Sequence, residues 1–182
     1  MNPSSNLFLI GPSGAGKTSI GRRLAEHYGL IFLDLDREIE EHTGVDVSTI
    51  FEIEGEAGFR QREASMLAQC SEREGVLLAT GAGAILDPKS RRLLHQTGFV
   101  VWMQASVDQQ LQRLQRDRAR PLLVGVDRNA RLTAMAAQRN PLYQEIAELD
   151  IPGHNERTSR AFARCVRRIE AQWQRLTTTT PP

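Results

Sequence analysis

Four short apolar runs, Leu7–Ile10, Leu30–Leu35, Val76–Ala79 and Phe99–Met103, punctuate a chain whose other stretches repeat apolar residues at spacings of three and four. Short unalternating runs of this kind predict strands buried on both faces, and the longer periodic stretches predict helices. Ile20, Leu24 and Tyr28 lie four apart after the first run, and Gly29 follows as a C-cap. Ser106 opens a capping-box pattern, S-V-D-Q, with Val107, Leu111 and Leu114 as the apolar stripe behind it. Thr158 or Ser159 opens a final helix whose stripe is Phe162, Val166, Ile169, Trp173 and Leu176. A last short strand is predicted near Leu149–Ile151. Strand–helix alternation of this kind is the pattern of an α/β fold, a parallel sheet covered on both faces by helices.

The 182 residues suit a single domain, expected over 1–176, with the polar tail 177–182 (TTTTPP) disordered. Between Asp117 and Arg131 the chain is Arg-rich, contains Pro121 and Gly125, and carries only a short apolar patch, which predicts a mobile connection. Net charge is +1, which argues against broad electrostatic capture of nucleic acid or of an anionic membrane. Cys70 and Cys165 are 95 positions apart with no ligand-like spacing, and read as free thiols of a reducing compartment. No apolar stretch has the length of a signal peptide or a membrane span, so a cytoplasmic protein is expected. Lys17 and Lys89 are the only lysines, so nearly all positive charge is arginine.

Lys17 belongs to the most informative motif. Gly11-Pro-Ser-Gly-Ala-Gly-Lys-Thr18 fits the P-loop pattern, with a strand predicted before it and a helix after it. Its glycines let the backbone curl so that successive N–H groups converge on phosphate oxygens at a helix N-terminus. Lys17 can then reach the β- and γ-phosphates and the Thr18 hydroxyl can ligate Mg²⁺, so the chain is read as binding a nucleoside triphosphate. The second apolar run ends in Asp34-Leu35-Asp36, where strand alternation would send both carboxylates to one face at the ligand-binding end of the sheet. Arg60 and Glu63, in GEAGFRQRE, form an i,i+3 pair on a predicted helix with Phe59, Met66 and Cys70 as core positions. Thr80-Gly81-Ala82-Gly83 makes a small-residue turn after the third run. Arg120-Pro-Leu-Leu falls in the mobile segment, and Arg139-Asn-Pro-Leu-Tyr143 ends the helix that follows. Arginine suits each place because its planar fork holds carboxylate or phosphate bidentately.

Together the six motifs GPSGAGKT, DLD, FRQRE, TGAG, RPLL and RNPLY, in this order and spacing, resemble the shikimate kinases, P-loop phosphotransferases of the nucleoside-monophosphate-kinase type. The similarity runs from about Leu7 to about His154. The resemblance implies a three-layer sandwich around a five-stranded parallel sheet, a substrate-binding region at about 37–62 and a mobile lid at about 115–126. It implies ATP-dependent phosphorylation of the shikimate 3-hydroxyl, with Mg²⁺, by a monomer. Gly11, Gly14, Ala15, Gly16, Lys17, Thr18 and Ser19 would then hold the phosphates, and Thr18 with Asp34 the Mg²⁺. Asp36, Arg60 and Arg139 would hold shikimate, the arginines on its carboxylate and Asp36 on the acceptor hydroxyl, with Gly81, Ala82 and Gly83 adding backbone contacts. Arg120 would come down with the lid onto the phosphates, and Arg113, Glu156 and Arg157 would flank the adenine. Lys17, Asp36 and Arg120 would carry the chemistry. A sibling small-molecule kinase, such as a gluconate or nucleoside monophosphate kinase, and a non-catalytic module of the same fold are the alternatives. Ala82 departs from the three consecutive glycines usual in this family, and is expected to be tolerated at a negative φ.

Overall fold

The computed structural model describes residues 4–115, 127–155 and 157–175. Five parallel strands, β1 (Leu7–Ile10), β2 (Ile31–Asp34), β3 (Val76–Ala79), β4 (Phe99–Met103) and β5 (Leu149–Ile151), line up in the order β2-β3-β1-β4-β5. The helices are α1 (Lys17–Tyr28), α2 (Leu35–Thr43), α3 (Val47–Ser71), α4 (Pro88–Thr97), α5 (Val107–Leu114), α6 (Arg128–Ile146) and α7 (Thr158–Glu170), with a 3₁₀ turn at Ala84–Leu86. Strand alternation divides the core between two faces. Phe8, Ile10, Val100 and Trp102 pack against α2, α3, α4 and α6, whereas Leu7, Leu9, Phe99 and Val101 pack against α1 and α7. Both faces are apolar because both are covered, so the strands read as unbroken apolar runs.

Local chemistry sets the helix ends. Gly29 caps α1 in the left-handed region at φ 60, and the Leu30 N–H closes the cap on the Ala25 carbonyl at 2.8 Å. Asp46, Asp87 and Asp127 cap α3, α4 and α6 by accepting from backbone N–H groups. Ser106 and Gln109 form the predicted capping box of α5. Gly55, at φ 70 and ψ −175, interrupts α3 and divides it into two helical pieces.

Several sequence expectations are corrected. Strand β2 stops at Asp34 and α2 starts at Leu35, so Asp36 reaches its place from the first turn of a helix rather than by strand alternation. Residues 127–131 are not part of a loop, because the Asp127 side chain accepts from Asn129 and Ala130 and starts α6. The RNPLY segment lies within α6, which continues past Pro141 to Ile146. Helix α7 ends at Glu170, and Trp173 is buried from beyond it, its indole N–H donating to the Ser4 carbonyl at 3.1 Å. Leu176, the tail 177–182, and the RPLL motif with Arg120 lie outside the described residues, as does Glu156. Both cysteines are free and buried. Among the described residues, no helix is long and apolar enough to cross a membrane.

The Tyr28 ring packs edge-on against Trp173 between α1 and α7, but its hydroxyl is buried without a hydrogen-bond partner. Burial, then Glu170 and Cys165, push its pKa from 10.0 up to about 12. Between those values the unfolded chain loses the phenolic proton first, so stability falls as pH rises from about 10. Tyr28→Phe removes a buried polar group that makes no bond, so stability at neutral pH should stay within about 0.5 kcal/mol of wild type or rise. The advantage of Phe over Tyr should grow above pH 10. Thermal unfolding at pH 7 and pH 10.5 checks both.

Candidate active site

Two adjoining cavities open at the carboxyl ends of the strands, with the P-loop between them. The chain leaves β1 at Gly11, whose φ of 137 is closed to other residues and where a Cβ would lie 2.2 Å from the Met103 carbonyl oxygen. Gly14 and Gly16 also have positive φ, and Gly16 stands at the N-cap of α1. This backbone points the first N–H groups of α1 into the space where an anion would sit. Lys17, the first residue of α1, is buried, and its ammonium donates to the carbonyls of Gly11 at 2.7 Å and Pro12 at 2.9 Å. The loop thus holds its own charge in place. Ala15 is buried in the core, and the Ser19 hydroxyl donates to the Gly16 carbonyl.

The Thr18 hydroxyl donates to the Asp34 carboxylate at 2.7 Å. One hydroxyl and one carboxylate together are the hard-oxygen donor set that Mg²⁺ takes from a protein when phosphates and waters complete its octahedron. These residues fit the ion that the P-loop implies.

The larger cavity, about 490 Å³, lies beyond this pair and is walled by α2, α3, α6 and the turn after β3. Asp34, Asp36, Arg60, Gly81, Ala82, Gly83 and Arg139 all line it, so the structure brings together residues spread over a hundred positions. Arg60 donates to Glu63 at 2.7 Å and to Glu56 at 3.0 Å. Glu63 is 2% exposed, and its second carboxylate oxygen has no hydrogen-bond partner. Burial, assisted by Asp36, pushes the Glu63 pKa up against the pull of Arg60 and Arg139. For Arg60, burial works to lower the pKa, but Glu63 and Glu56 outweigh it and leave the guanidinium above its ordinary value. For Arg139 burial wins, with the Arg60 charge adding to it, and the pKa falls. The half-buried Arg60 and the buried Arg139 stand near the one buried carboxylate of Glu63, and the Nε of each arginine lacks a partner. Two guanidiniums in one wall of the cavity are the donors that an anionic ligand would take bidentately.

Gly81 and Gly83 sit against charged side-chain ends, which a methyl group at either place would have to displace. A Cβ on Gly81 would lie 2.3 Å from a Glu63 carboxylate oxygen, and one on Gly83 would lie 2.3 Å from the Arg60 guanidinium. Ala82 between them has no positive φ, as the sequence led one to expect. Its carbonyl accepts from the Tyr143 hydroxyl at 2.6 Å and from Arg139 at 3.4 Å.

The smaller cavity, about 300 Å³, lies on the other side of the P-loop against α7 and the turn after β5. Arg113 forms part of its wall, donating to the carbonyls of Gly14 at 2.8 Å and His154 at 2.9 Å. Arg157 is exposed at the N-cap of α7 and lines neither cavity. Residues 152–154 and Thr158 line the smaller cavity, and Glu156 lies outside the described residues. Gly153 could have been found, since Pro-Gly directly after a strand marks a turn at the ligand-binding end of the sheet. Sequence reasoning also missed Tyr143 and took Glu63 for a local surface pair, because i,i+3 spacing does not report burial. Phe51, stacked at a tilt on Phe59 with centroids 4.6 Å apart, adds an apolar wall that the motifs did not single out.

This geometry has close counterparts. Residues 13–170 match the family model described as shikimate kinase. A shikimate kinase from Stenotrophomonas maltophilia is 50% identical over 175 residues, 96% of this chain and 97% of that protein. One from Xanthomonas euvesicatoria is 48% identical over 98% of this chain and 99% of its own length. Among solved structures, the shikimate kinase from Acinetobacter baumannii in complex with shikimate superposes with a TM-score of 0.87 at 43% identity, over 92% of this chain and 93% of that one. A family match over most of the chain, relatives at half identity along nearly its whole length, and a P-loop beside a cavity built for an anion agree: the chain belongs to the shikimate kinase family.

Proposed function

We infer that this chain transfers the γ-phosphoryl group of ATP to the 3-hydroxyl of shikimate, with shikimate held in the larger cavity and the nucleotide across the P-loop and the smaller one. ATP-dependent phosphorylation of shikimate follows from its family. The residue roles are our reading of the geometry. The observation that carries them is that one cavity is lined both by Arg60 and Arg139 and by the Thr18–Asp34 pair of the P-loop edge. A small ring acid with a carboxylate on one side and hydroxyls on the other matches that arrangement.

Arg60 and Arg139 bind the carboxylate, and Glu63 keeps the Arg60 fork turned into the cavity. Asp36 accepts or orients the proton of the acceptor hydroxyl. Lys17 and the N–H groups of the P-loop hold the phosphates, and Arg120 adds its charge to theirs. Thr18 and Asp34 would hold Mg²⁺, which supplies charge neutralisation on the phosphate oxygens. Phosphoryl transfer asks for alignment and electrostatics more than for covalent help, so rigidly mounted charges suffice. The same reading carries with it a cytoplasmic, monomeric enzyme. An ADP-release assay with and without shikimate tests the proposal, and ADP release indifferent to shikimate would sink it.

Four variants test the assignments. Lys17→Met should lower kcat at least about a hundredfold, since losing one preorganised donor costs about 3 kcal/mol. Because Lys17 is buried and bonds two carbonyls, thermal unfolding should also come earlier. Arg139→Lys keeps the charge and loses the fork, so KM for shikimate should rise at least about tenfold while KM for ATP stays within about twofold. Equal changes in both would move Arg139 to the nucleotide. In the turn, Ala82→Gly should change KM for shikimate less than about threefold, because no positive φ is relieved. Gly83→Ala should raise it at least about tenfold, because the new methyl occupies the place of the Arg60 guanidinium.

A further inference from the structure

Resting on the reading of the larger cavity as the shikimate site, we propose that Tyr143 is a positioning residue for it, its hydroxyl fixing the 81–83 turn relative to α6 through the Ala82 carbonyl. Tyr143 is 1% exposed and lies one helical turn beyond Arg139, on the same side of α6. Its ring is held independently of its hydroxyl, stacked on Trp102 with centroids 5.6 Å apart. The hydroxyl donates to Ala82 at 2.6 Å, whereas the Arg139 contact to the same oxygen is long, at 3.4 Å. A short bond from a rigid ring decides where the turn sits, and the long one does not.

The turn in its place sets both guanidiniums. Gly83 closes against the Arg60 guanidinium and Gly81 against Glu63, so close that neither could carry a methyl group without a shift. With Ala82 bonded to Tyr143, Arg139 makes only its long bond to the same carbonyl. Without that bond the Ala82 carbonyl becomes the nearest strong acceptor for Arg139, and the guanidinium turns toward the turn and away from a substrate carboxylate. One hydroxyl, reaching 61 positions back along the chain, thus controls the spacing of the two arginines. A second strut joins the same elements, with Arg91 donating to the Ile85 and Leu86 carbonyls and to Glu145 of α6. It grips the 3₁₀ turn rather than the substrate turn, so it does not substitute for Tyr143.

The test is steady-state kinetics of Tyr143→Phe, which keeps the ring. The expected result is a KM for shikimate raised about tenfold, with KM for ATP within twofold and kcat within threefold. A purely structural role would lower the melting temperature and leave the KM for shikimate within twofold, and that result overturns the proposal. Equal rises in both KM values overturn it as well. Tyr28→Phe, which removes a hydroxyl that bonds nothing, serves as the control and should match wild type. The chain has two tyrosines, so 3-fluorotyrosine incorporated into the Tyr28→Phe protein reports on Tyr143 alone. Its ¹⁹F resonance should shift as shikimate saturates, and a resonance that ignores shikimate overturns the proposal even if Tyr143→Phe does not fold. Shikimate-dependent ADP release by the wild-type enzyme tests the functional reading separately. Its presence beside an unchanged Tyr143→Phe would discard only the positioning role.

Discussion

Ala79 is the register partner of Leu9 on one side and of Asp34 on the other, so the carboxyl ends of β1, β2 and β3 are held level by parallel hydrogen bonding. The Thr80 N–H extends this alignment by donating to the Leu9 carbonyl at 3.1 Å. Everything chemical in the molecule hangs from that edge. The P-loop leaves β1, Asp34 and Asp36 leave β2, and the Gly-Ala-Gly turn leaves β3, each within a residue or two of the paired strands. A slip of one residue in β3 would turn its apolar side chains to the opposite faces and move the substrate turn by about 3 Å, more than the site could absorb. The core on both faces of the sheet is what forbids the slip.

Upon this edge α3 and α6 impose charges that folding alone would not choose. Burying Glu63 with Arg60, and Arg139 near both, has a desolvation cost that the ion pair at 2.7 Å only partly offsets. Of the five buried side-chain atoms without a partner among the described residues, three, Arg60 Nε, Arg139 Nε and the second oxygen of Glu63, belong to residues that line one cavity. Such groups are rare in protein interiors and concentrate where a ligand completes them. The break at Gly55 belongs to the same arrangement. It lets the first piece of α3 bring Phe51 against Phe59, while the second piece carries Arg60 and Glu63. Arg62 spans the break with both of its bonds to Glu54, at 2.6 and 2.8 Å, which holds the two pieces at one angle.

The P-loop shows how a local motif and a tertiary contact share a task. Its curled backbone is encoded by glycines, but its position is set by neighbours: Met103 leaves no room for a side chain at Gly11, and Arg113 ties the Gly14 carbonyl to that of His154 across the smaller cavity. Arg113 thereby links the loop after β1 to the loop after β5, strands that are not adjacent in the sheet.

What could be read from the chain alone was what local physics encodes. Unalternating apolar runs announced four of the five strands, and the fifth was anticipated at Leu149–Ile151. Capping residues such as Ser106 and Gly29 marked helix ends, and the P-loop glycines and lysine announced phosphate binding. The remaining motifs, through their family resemblance, pointed to Arg60, Arg139 and the turn at 81–83 before any cavity was visible. Only the tertiary structure decided the rest. Spacing could not tell that Glu63 is buried, that Asp36 arrives from a helix, that Tyr143 grips Ala82, or that residues 152–154 wall the smaller cavity. These depend on which distant segments meet, and burial, charge balance and hydrogen-bond partners are properties of that meeting. A residue's own neighbours along the chain carry no record of them.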